Sequence, residues 1–308
     1  MMRITHLTSD DYEAWAELLA AAFARQPSEM VQLLTFLQSA APLIAYGAWD
    51  GAQLAAQYSC LLRHVHVPGQ PLPITVGVSL NMAVHPDYRG RGLVKQVAQP
   101  VYTAVHNQGG TAGVGFSNAA GVQVDRHSKG YGYQVVGRLD SVVGVWQRPL
   151  SAPPLTLTTC WPDSLPCFSS ACPIKHHFIS SSAWLAHRFA QHPFRQYHFG
   201  VGEAGVVVYR PFHWHGWRGV SLLAAHGPDL AALLRHFSAA LWPQGIRMVH
   251  LLTSPQSSLL KGLRQTAVCL RLPYSRSPYY LTAKPLCTQT AASLFNFNQW
   301  DCIGGDIL

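Results

Sequence analysis

Charged side chains are scarce in this sequence of 308 residues, because Asp, Glu, Lys and Arg together make up only 12% of it. No run of five or six basic residues occurs, which argues against a polybasic tail that binds nucleic acid. The sequence also has no window of eighteen consecutive apolar residues, and its N-terminus has no apolar signal core. These absences predict a cytoplasmic protein without a transmembrane helix.

Cysteine pairs with the spacing of a metal site are also absent. The seven cysteines are scattered, and none forms a Cys-x-x-Cys pair. Three of them, together with two histidines, lie close enough in sequence to suggest zinc: Cys160, Cys167, Cys172, His176 and His177. Without the paired spacing, free thiols are the favoured interpretation, and no metal is predicted.

The residues that are present indicate a basic globular protein. Hydrophobic residues make up 48% of the chain, and 22 Lys and Arg exceed 14 Asp and Glu, which gives a net charge of +8. A positive charge favours anionic ligands or surfaces. The length predicts about two domains.

A stretch in the first half of the chain has the layout of a phosphate-binding turn. Residues 76–84 are apolar and β-branched, as in a buried strand, and Val97, Val101 and Val105 follow with helical spacing. Between them lies Arg89-Gly90-Arg91-Gly92. Glycines allow a tight turn that exposes backbone N–H groups, the helix N-terminus is partially positive, and arginine pairs well with phosphate.

The glycine spacing matches neither a P-loop nor a dinucleotide fingerprint. The segment Arg89 to Val94 resembles the Arg/Gln-x-x-Gly-x-Gly/Ala motif of the GNAT superfamily of acyl-CoA-dependent N-acetyltransferases, with Val94 in place of the final small residue. Gly130 to Tyr133 resembles the family's Gly-Phe/Tyr at the start of a later strand. The resemblance implies that acetyl-CoA contacts the following residues: Met82, Ala83, Val84, Arg89, Gly90, Arg91, Gly92, Leu93, Val94 and Asn118.

The resemblance also implies a catalytic acid, usually a Tyr in the fourth helix, that protonates the leaving thiolate. No Tyr lies between Asn118 and Gly130, and Arg126 or Ser128 stands in that place. His127 and Tyr131 are the nearby substitutes, although an exposed polar helix residue is the alternative interpretation of His127. A backbone N–H near Met82 to Val84 is expected to stabilise the oxyanion.

The order of predicted elements indicates two tandem GNAT-like domains of the α/β (α+β) class, each with a mixed, mostly antiparallel sheet flanked by helices. We expect a catalytic domain at residues 1–148, a Pro-rich linker at 149–175 and a degenerate domain at 176–308. The degenerate domain has His226-Gly227-Pro228-Asp229 at the loop position, so CoA is assigned to the first domain alone. Trp15 and Phe23 are interpreted as core residues. The segment Pro211 to Trp217 is interpreted as a loop that either lines a pocket or only packs.

The C-terminal segment, residues 295–308, is rich in large apolar side chains and is therefore expected to dock rather than to be disordered. One hypothesis brings the carboxylate of Leu308, or else Asp306, into the cleft of domain one as the base for the acceptor amine. The alternative is that the segment covers an edge of domain two.

Three functions remain open from the sequence. The first is an N-acetyltransferase that acts on a primary amine of a small molecule or peptide. The second is a transferase that takes its acyl group from aminoacyl-tRNA, and the third is a module that binds acyl-CoA without catalysis. The intact pyrophosphate loop favours the first. No membrane or nucleic-acid partner is expected, and the oligomeric state is left open.

Overall fold

The computed structural model describes residues 2–126, 132–149, 152–162, 174–273 and 278–307. The chain forms two units, and each is assembled from separate segments. The first unit contains Met1–Val65, Pro71–Gly137 and Tyr279–Phe295. The second contains His66–Gln70, Arg138–Pro278 and Asn296–Leu308.

Strands and helices alternate along the chain in an α/β pattern. The strands are β1 Arg3–His6, β2 Leu43–Asp50, β3 Gln53–His66, β4 Ile74–Val84, β5 Gly110–Asn118, β6 Gln134–Arg138, β7 Asp140–Trp146, β8 Thr156–Thr158, β9 His177–Phe178, β10 His198–Gly202, β11 Gly205–Trp214, β12 Trp217–His226, β13 Met248–Thr253, β14 Ala267–Leu272 and β15 Tyr279–Pro285. The helices are α1 Tyr12–Phe23, α2 Pro27–Ala40, α3 Leu93–Asn107, α4 Ala119–Arg126, α5 Ser182–Leu185, α6 Leu230–Leu241 and α7 Ser258–Arg264.

The first unit is built on a mixed sheet in the order β1-β2-β3-β4-β5-β15-β6. Strands β4 and β5 run parallel, and α3 connects them. Helix α3 buries Val97, Val101 and Val105 against one face of the sheet, as its helical spacing predicted. Helix α1 buries Trp15 in a separate cluster that includes Ala45 of β2. Because Ala45 follows Ile44 of the α3 cluster along a strand, the two clusters lie on opposite faces.

The second unit repeats this arrangement on a sheet in the order β14-β7-β13-β12-β11-β10-β8. Here β12 and β13 are the parallel pair, and α6 connects them. Helix α6 buries Leu233, Leu234 and Phe237 in the main core of this unit. The topology therefore makes β12, β13 and α6 the counterparts of β4, β5 and α3.

Two strands belong to different sheets from those that the sequence predicted. The strand predicted at 141–147 as the last of domain one is β7, which pairs with β13 and β14 of the second sheet. The strand predicted at 279–283 in domain two is β15, which pairs with β5 of the first sheet. Local pattern identifies a strand but not its partner, which depends on packing between distant segments.

The Pro-rich linker, which was expected to be an ordered or semi-rigid connection, contains a strand, since β8 at Thr156–Thr158 pairs with β10. The predicted loop at Pro211 to Trp217 is instead the end of the β11–β12 hairpin, with positive φ angles at His215 and Gly216 in its turn. The five described cysteines are free, whereas Cys167 and Cys172 lie outside the described residues. In the part of the chain that the structure describes, no helix is long and apolar enough to cross a membrane.

Candidate functional site

The glycine-rich turn of the first unit leads directly from β4 into α3. After β4, one short 3-10 turn spans Pro86–Tyr88. Gly90 and Gly92 then adopt positive φ angles of 78° and 72°, a backbone conformation that is unfavourable for residues with a Cβ atom. Gly92 is the N-cap of α3. These two glycines are therefore what allows the turn to close onto the helix N-terminus.

The N-terminus of α3 is available to an anion. The first N–H groups of any helix have no acceptor within the helix, and they are usually satisfied by a side chain at the N-cap. Gly92 has no side chain to do this, and the first turn of α3 contains no acidic residue. The partial positive charge of the helix end therefore remains uncompensated by these positions.

A cleft of about 800 Å³ opens beside this helix end within the first unit. Most of its lining is apolar in residue type, with one arginine at the turn. The lining residues are Ala22, Phe23, Met82, Ala83, Val84, Tyr88, Arg89, Gly90, Gly92, Leu93, Val94, Ala120, Gln123 and Val124. Eight of the ten residues predicted to contact CoA are among them.

The other two predicted residues have contacts that give them supporting positions. The guanidinium of Arg91 lies 4.7 Å from the centroid of the Tyr88 ring and donates to the carbonyl of Asp87 at 3.0 Å. The amide oxygen of Asn118 accepts a hydrogen bond from the Gly121 N–H at 2.9 Å, inside the first turn of α4. Arg91 therefore stabilises the turn, and Asn118 the start of α4.

Tyr88 anchors the turn to the β2–β3 hairpin. Its hydroxyl donates to Asp50 Oδ2 at 2.9 Å and lies 3.2 Å from Gln53 Oε1. The hydrogen bond to Asp50, followed by desolvation, raises the pKa of Tyr88. The hydroxyl thus remains a donor at neutral pH, and the turn is held at both ends.

The parallel strands separate where the cleft begins. Pairing between β4 and β5 runs from Thr75 to Ser79 of β4, whereas β4 itself continues to Val84. Against β3, Leu80 pairs with Ser59 and Ala83 with Gln57, so β4 contains a bulge at Asn81, whose φ is 51°. The buried side-chain amide of Gln57 donates to the Asn81 carbonyl. The bulge and the separation leave the end of β4 at the cleft.

A buried group of hydroxyls lies in the same core cluster as α3. The hydroxyls of Tyr58 and Tyr133 are 3.3 Å apart, and Tyr102 donates to Tyr58 at 3.4 Å. Burial raises the pKa of Tyr58 well above its ordinary value and that of Cys60 to about 12. Tyr58 and Cys60 therefore stay protonated at neutral pH and do not act as bases.

The residues of α1 and α4 that line the cleft were not predicted from the sequence. Trp15 is buried, as expected, but Phe23 is 47% exposed and lines the cleft, so its interpretation as a core residue is wrong. The position of Phe23 could have indicated its exposure, because it is the last residue of α1 and the chain turns at Ala24 with a φ of 53°. Gln123 and Val124 of α4 carried no comparable signal.

The predicted catalytic residues are not tested by the structure. His127, Tyr131 and Leu308 lie outside the described residues. The described part of the C-terminal segment belongs to the second unit, and the carboxylate of Asp306 accepts a hydrogen bond from the Ile303 N–H at 2.9 Å. All three catalytic assignments stay predictions.

The corresponding helix end in the second unit is closed. Asp229 is the N-cap of α6, and its Oδ1 accepts hydrogen bonds from the N–H groups of Ala231 and Ala232 at 2.9 and 3.0 Å. A carboxylate of the chain therefore takes up the donors that remain open in α3. This contrast agrees with the assignment of a phosphate-binding turn to the first unit alone.

Comparisons with known proteins relate the first unit to one protein family and the whole chain to solved structures of similar fold. The family model described as an acetyltransferase (GNAT) domain matches residues 3–134, and no curated protein matches the chain. A probable N-acyltransferase from Enterococcus faecalis has a TM-score of 0.66 at 15% identity, over 93% of this chain and 73% of that one. Eis1 from Mycobacterium abscessus has a TM-score of 0.64 at 15% identity, over 96% and 76%.

A tandem GNAT protein from the clavulanic acid biosynthesis pathway has a TM-score of 0.50 at 13% identity, over 94% of this chain and 100% of that one. At such identities the structures report fold alone, and that fold extends over both units. Residues 3–134 therefore match the GNAT acetyltransferase family, and the chain as a whole has the fold of a tandem GNAT protein.

Proposed function

We propose that this protein transfers an acetyl group from acetyl-CoA to a primary amine of a small molecule or peptide, with the cleft of the first unit as the site. The observation that carries the proposal is the uncapped N-terminus of α3, next to Arg89 and the two positive-φ glycines. A helix end of this kind binds phosphate groups, and CoA supplies a pyrophosphate.

The separated end of β4 supports the chemistry of acyl transfer. Backbone groups from Leu80 to Val84 lie beyond the last pair between β4 and β5. The amide groups of an extended acyl-pantetheine chain can form hydrogen bonds with such unpaired strand groups, as an added peptide strand does. A fixed N–H among Met82, Ala83 and Val84 is also suited to stabilise the negative charge that develops when the amine attacks the thioester carbonyl.

Two proton transfers complete the proposed reaction. The acceptor amine must lose a proton to attack, and the leaving thiolate must gain one. We keep His127 and Tyr131 as candidates for the acid and the carboxylate of Leu308 as the candidate base. Asp306 is not kept as the alternative base, because its carboxylate accepts from the Ile303 N–H within the part of the segment that belongs to the second unit. The acetyl group comes from CoA, and the chain's residues bind, orient and exchange protons.

The first experiment tests the CoA site with two glycine variants. Gly90→Val and Gly109→Val replace glycines with φ angles of 78° and 82°, and at both positions a Cβ would meet nothing within 4 Å. Both variants should therefore lose similar stability, but Gly90 alone of the two lines the cleft. We expect Gly90→Val to weaken CoA binding by at least tenfold in calorimetry, whereas Gly109→Val binds as the parent does. Equal affinities in all three proteins would refute the site.

The second experiment separates the three functions that the sequence left open. Release of free CoA thiol from acetyl-CoA is measured with a panel of primary amines. Turnover with any amine supports the transferase, and CoA binding without turnover across the panel supports a binding module. Tight binding of aminoacyl-tRNA with no affinity for CoA would support the tRNA-dependent reaction instead.

A further inference from the structure

The second sheet separates in the same way as the first. Pairing between β12 and β13 runs from Gly219 to Leu222 of β12, although β12 continues to His226. Against β11, Leu222 pairs with Tyr209 and Ala224 with Val208, so Leu223 is the extra residue of a bulge. The second unit thus has a gap beyond Leu222 that corresponds to the cleft beyond Ser79 in the first.

The C-terminal segment bridges this gap. On the β13 side, Ile303 forms an antiparallel bridge with Thr253, and the Ser254 N–H donates to the Cys302 carbonyl at 2.8 Å. On the β12 side, the backbone of Gly305 lies against the Leu223 carbonyl so closely that a Cβ would overlap the oxygen. The segment therefore pairs with backbone groups at the end of β13 and packs against the backbone of β12.

Buried side chains fix the segment in place. Trp300 and Cys302 are fully buried. Ser254 Oγ donates to the Trp300 carbonyl at 2.7 Å and accepts from the Cys302 N–H at 3.2 Å. The buried Arg188 donates to the Ile307 carbonyl at 2.7 Å. Contacts of this kind at both ends of the segment indicate a specific docking rather than a loose covering.

The space that remains at this position is small. The cavity lined by Leu223, Ile303 and Gly305 has a volume of about 100 Å³, compared with about 800 Å³ for the cleft of the first unit. A volume of this size lies below the usual range of ligand-binding clefts and has no room for a CoA molecule.

We propose that the gap between β12 and β13 is a peptide-binding groove, and that its occupant is the segment 300–307 of this same chain. In this unit the segment occupies the gap that corresponds by topology to the cleft of the first unit. The groove recognises a tryptophan at one end and a Gly-Gly pair with no room for a side chain at the second glycine. This inference goes beyond the acetyltransferase proposal and does not depend on it.

The test uses the full chain and the reactivity of the Cys302 thiol, which is fully buried in the docked segment and should become accessible when the segment leaves the groove. Gly305→Ala places a Cβ against the Leu223 carbonyl, whereas the Cβ of Gly304→Ala would meet Leu252 Cβ at an ordinary 3.4 Å. We expect Gly305→Ala to speed labelling of Cys302 by a thiol reagent at least tenfold, as measured by mass spectrometry of tryptic peptides. Gly304→Ala should label at the rate of the parent chain.

Cys60, which is buried in the first unit, shows in the same experiment whether that unit stays folded. Equal protection of Cys302 in both glycine variants, or equal exposure in both, would overturn the proposal. If circular dichroism shows that Gly305→Ala unfolds, Ser254→Ala decides instead, because it removes two hydrogen bonds to the segment without adding bulk. Faster Cys302 labelling in folded Ser254→Ala supports the groove, and an unchanged rate contradicts it.

Discussion

Arg89 and Arg91 are two positions apart in the same turn, but their surroundings give them different tasks. Arg89 lines the cleft, whereas Arg91 lies over the Tyr88 ring and donates to a backbone carbonyl. The first is placed to attract a phosphate, and the second to stabilise the turn that presents the backbone N–H groups. Residue type alone does not distinguish these roles.

We therefore expect Arg89→Ala to weaken CoA binding about tenfold or more, which corresponds to roughly 1.4 kcal/mol. Arg91→Ala should lower CoA affinity less and should mainly lower the thermal midpoint of unfolding. Calorimetry at low and high salt checks the assignment, because loss of a direct phosphate contact also reduces the salt dependence of binding. A larger loss of affinity in Arg91→Ala would reverse the two roles.

The buried His226 predicts that the second unit loses stability in acid. Burial lowers the pKa of this histidine from 6.5 to about 4. In the unfolded chain it binds a proton below pH 6.5, whereas in the folded chain it stays neutral down to about pH 4. Its contribution to stability is therefore complete above pH 6.5 and is lost as the pH falls through this interval.

This shift predicts that the free energy of unfolding falls by about 2 kcal/mol between pH 7 and pH 5 through His226 alone. Urea titrations at the two pH values measure the difference. In His226→Gln the pH dependence should be smaller by that amount, whatever the effect of the substitution at pH 7. An unchanged pH dependence in this variant would show that His226 is not the group responsible.

At the scale of elements, the two helices that follow the parallel strands differ at their first residue. Helix α3 begins after a glycine in the left-handed backbone conformation. Helix α6 begins after an aspartate whose carboxylate accepts hydrogen bonds from two backbone N–H groups. The same helix position is thus open to a ligand in one unit and satisfied by the chain in the other. Because of this difference, only the helix end of the first unit is a candidate phosphate site, although the two units share one fold.

We expect Asp229→Ala to lower the free energy of unfolding by about 1 kcal/mol, because the cap of α6 is lost. Asp229→Ser should retain most of the stability, since its hydroxyl also accepts from the helix N–H groups. Both variants should still bind one CoA per chain, because the segment 300–307 occupies the gap of the second unit. Denaturant titration and the calorimetric stoichiometry measure the two quantities, and a second CoA in either variant would contradict this account.

For the whole molecule, the main feature is that neither unit is a continuous piece of chain. Strand β15 lies between β5 and β6 in the first sheet, although more than 130 residues separate it from β6 in sequence. Strand β7, which directly follows β6 along the chain, lies between β14 and β13 in the second sheet. The first unit therefore depends on β15, which follows most of the second unit in sequence, and the second unit takes as β7 the strand that comes directly after β6 of the first.

A fragment of residues 1–148 should consequently not fold as an independent domain. Without β15, the fragment leaves β5 and β6 without their common neighbour, and their unpaired edges favour aggregation. We expect the full chain to unfold cooperatively, whereas the fragment lacks a cooperative transition in circular dichroism. A second fragment that joins residues 1–137 to 279–295 through a flexible linker restores β15 and should recover the transition. Cooperative unfolding of residues 1–148 alone would contradict this prediction.

The elements that follow from local chemistry could be predicted from the order of the amino acids. Gly90 and Gly92 predict a tight turn because few other residues adopt positive φ, and Val97, Val101 and Val105 predict the buried face of α3. The sequence also predicted that the second unit lacks a phosphate-binding loop, since the carboxylate of Asp229 in that place would repel phosphate. The GNAT fold and most of the cleft residues of β4 and its turn follow from such local signals.

Tertiary structure alone decided the features that depend on distant partners. The sheet that receives β7 or β15, the exposure of Phe23 at the cleft, and the groove that holds residues 300–307 all involve segments far apart in sequence. The residue pattern of a strand indicates that one of its faces is buried, but it does not indicate which segment of the chain packs against that face. Partner choice is set by the sum of packing and hydrogen bonding over the folded chain, because backbone groups and apolar faces pair with whichever segment the whole fold brings to them.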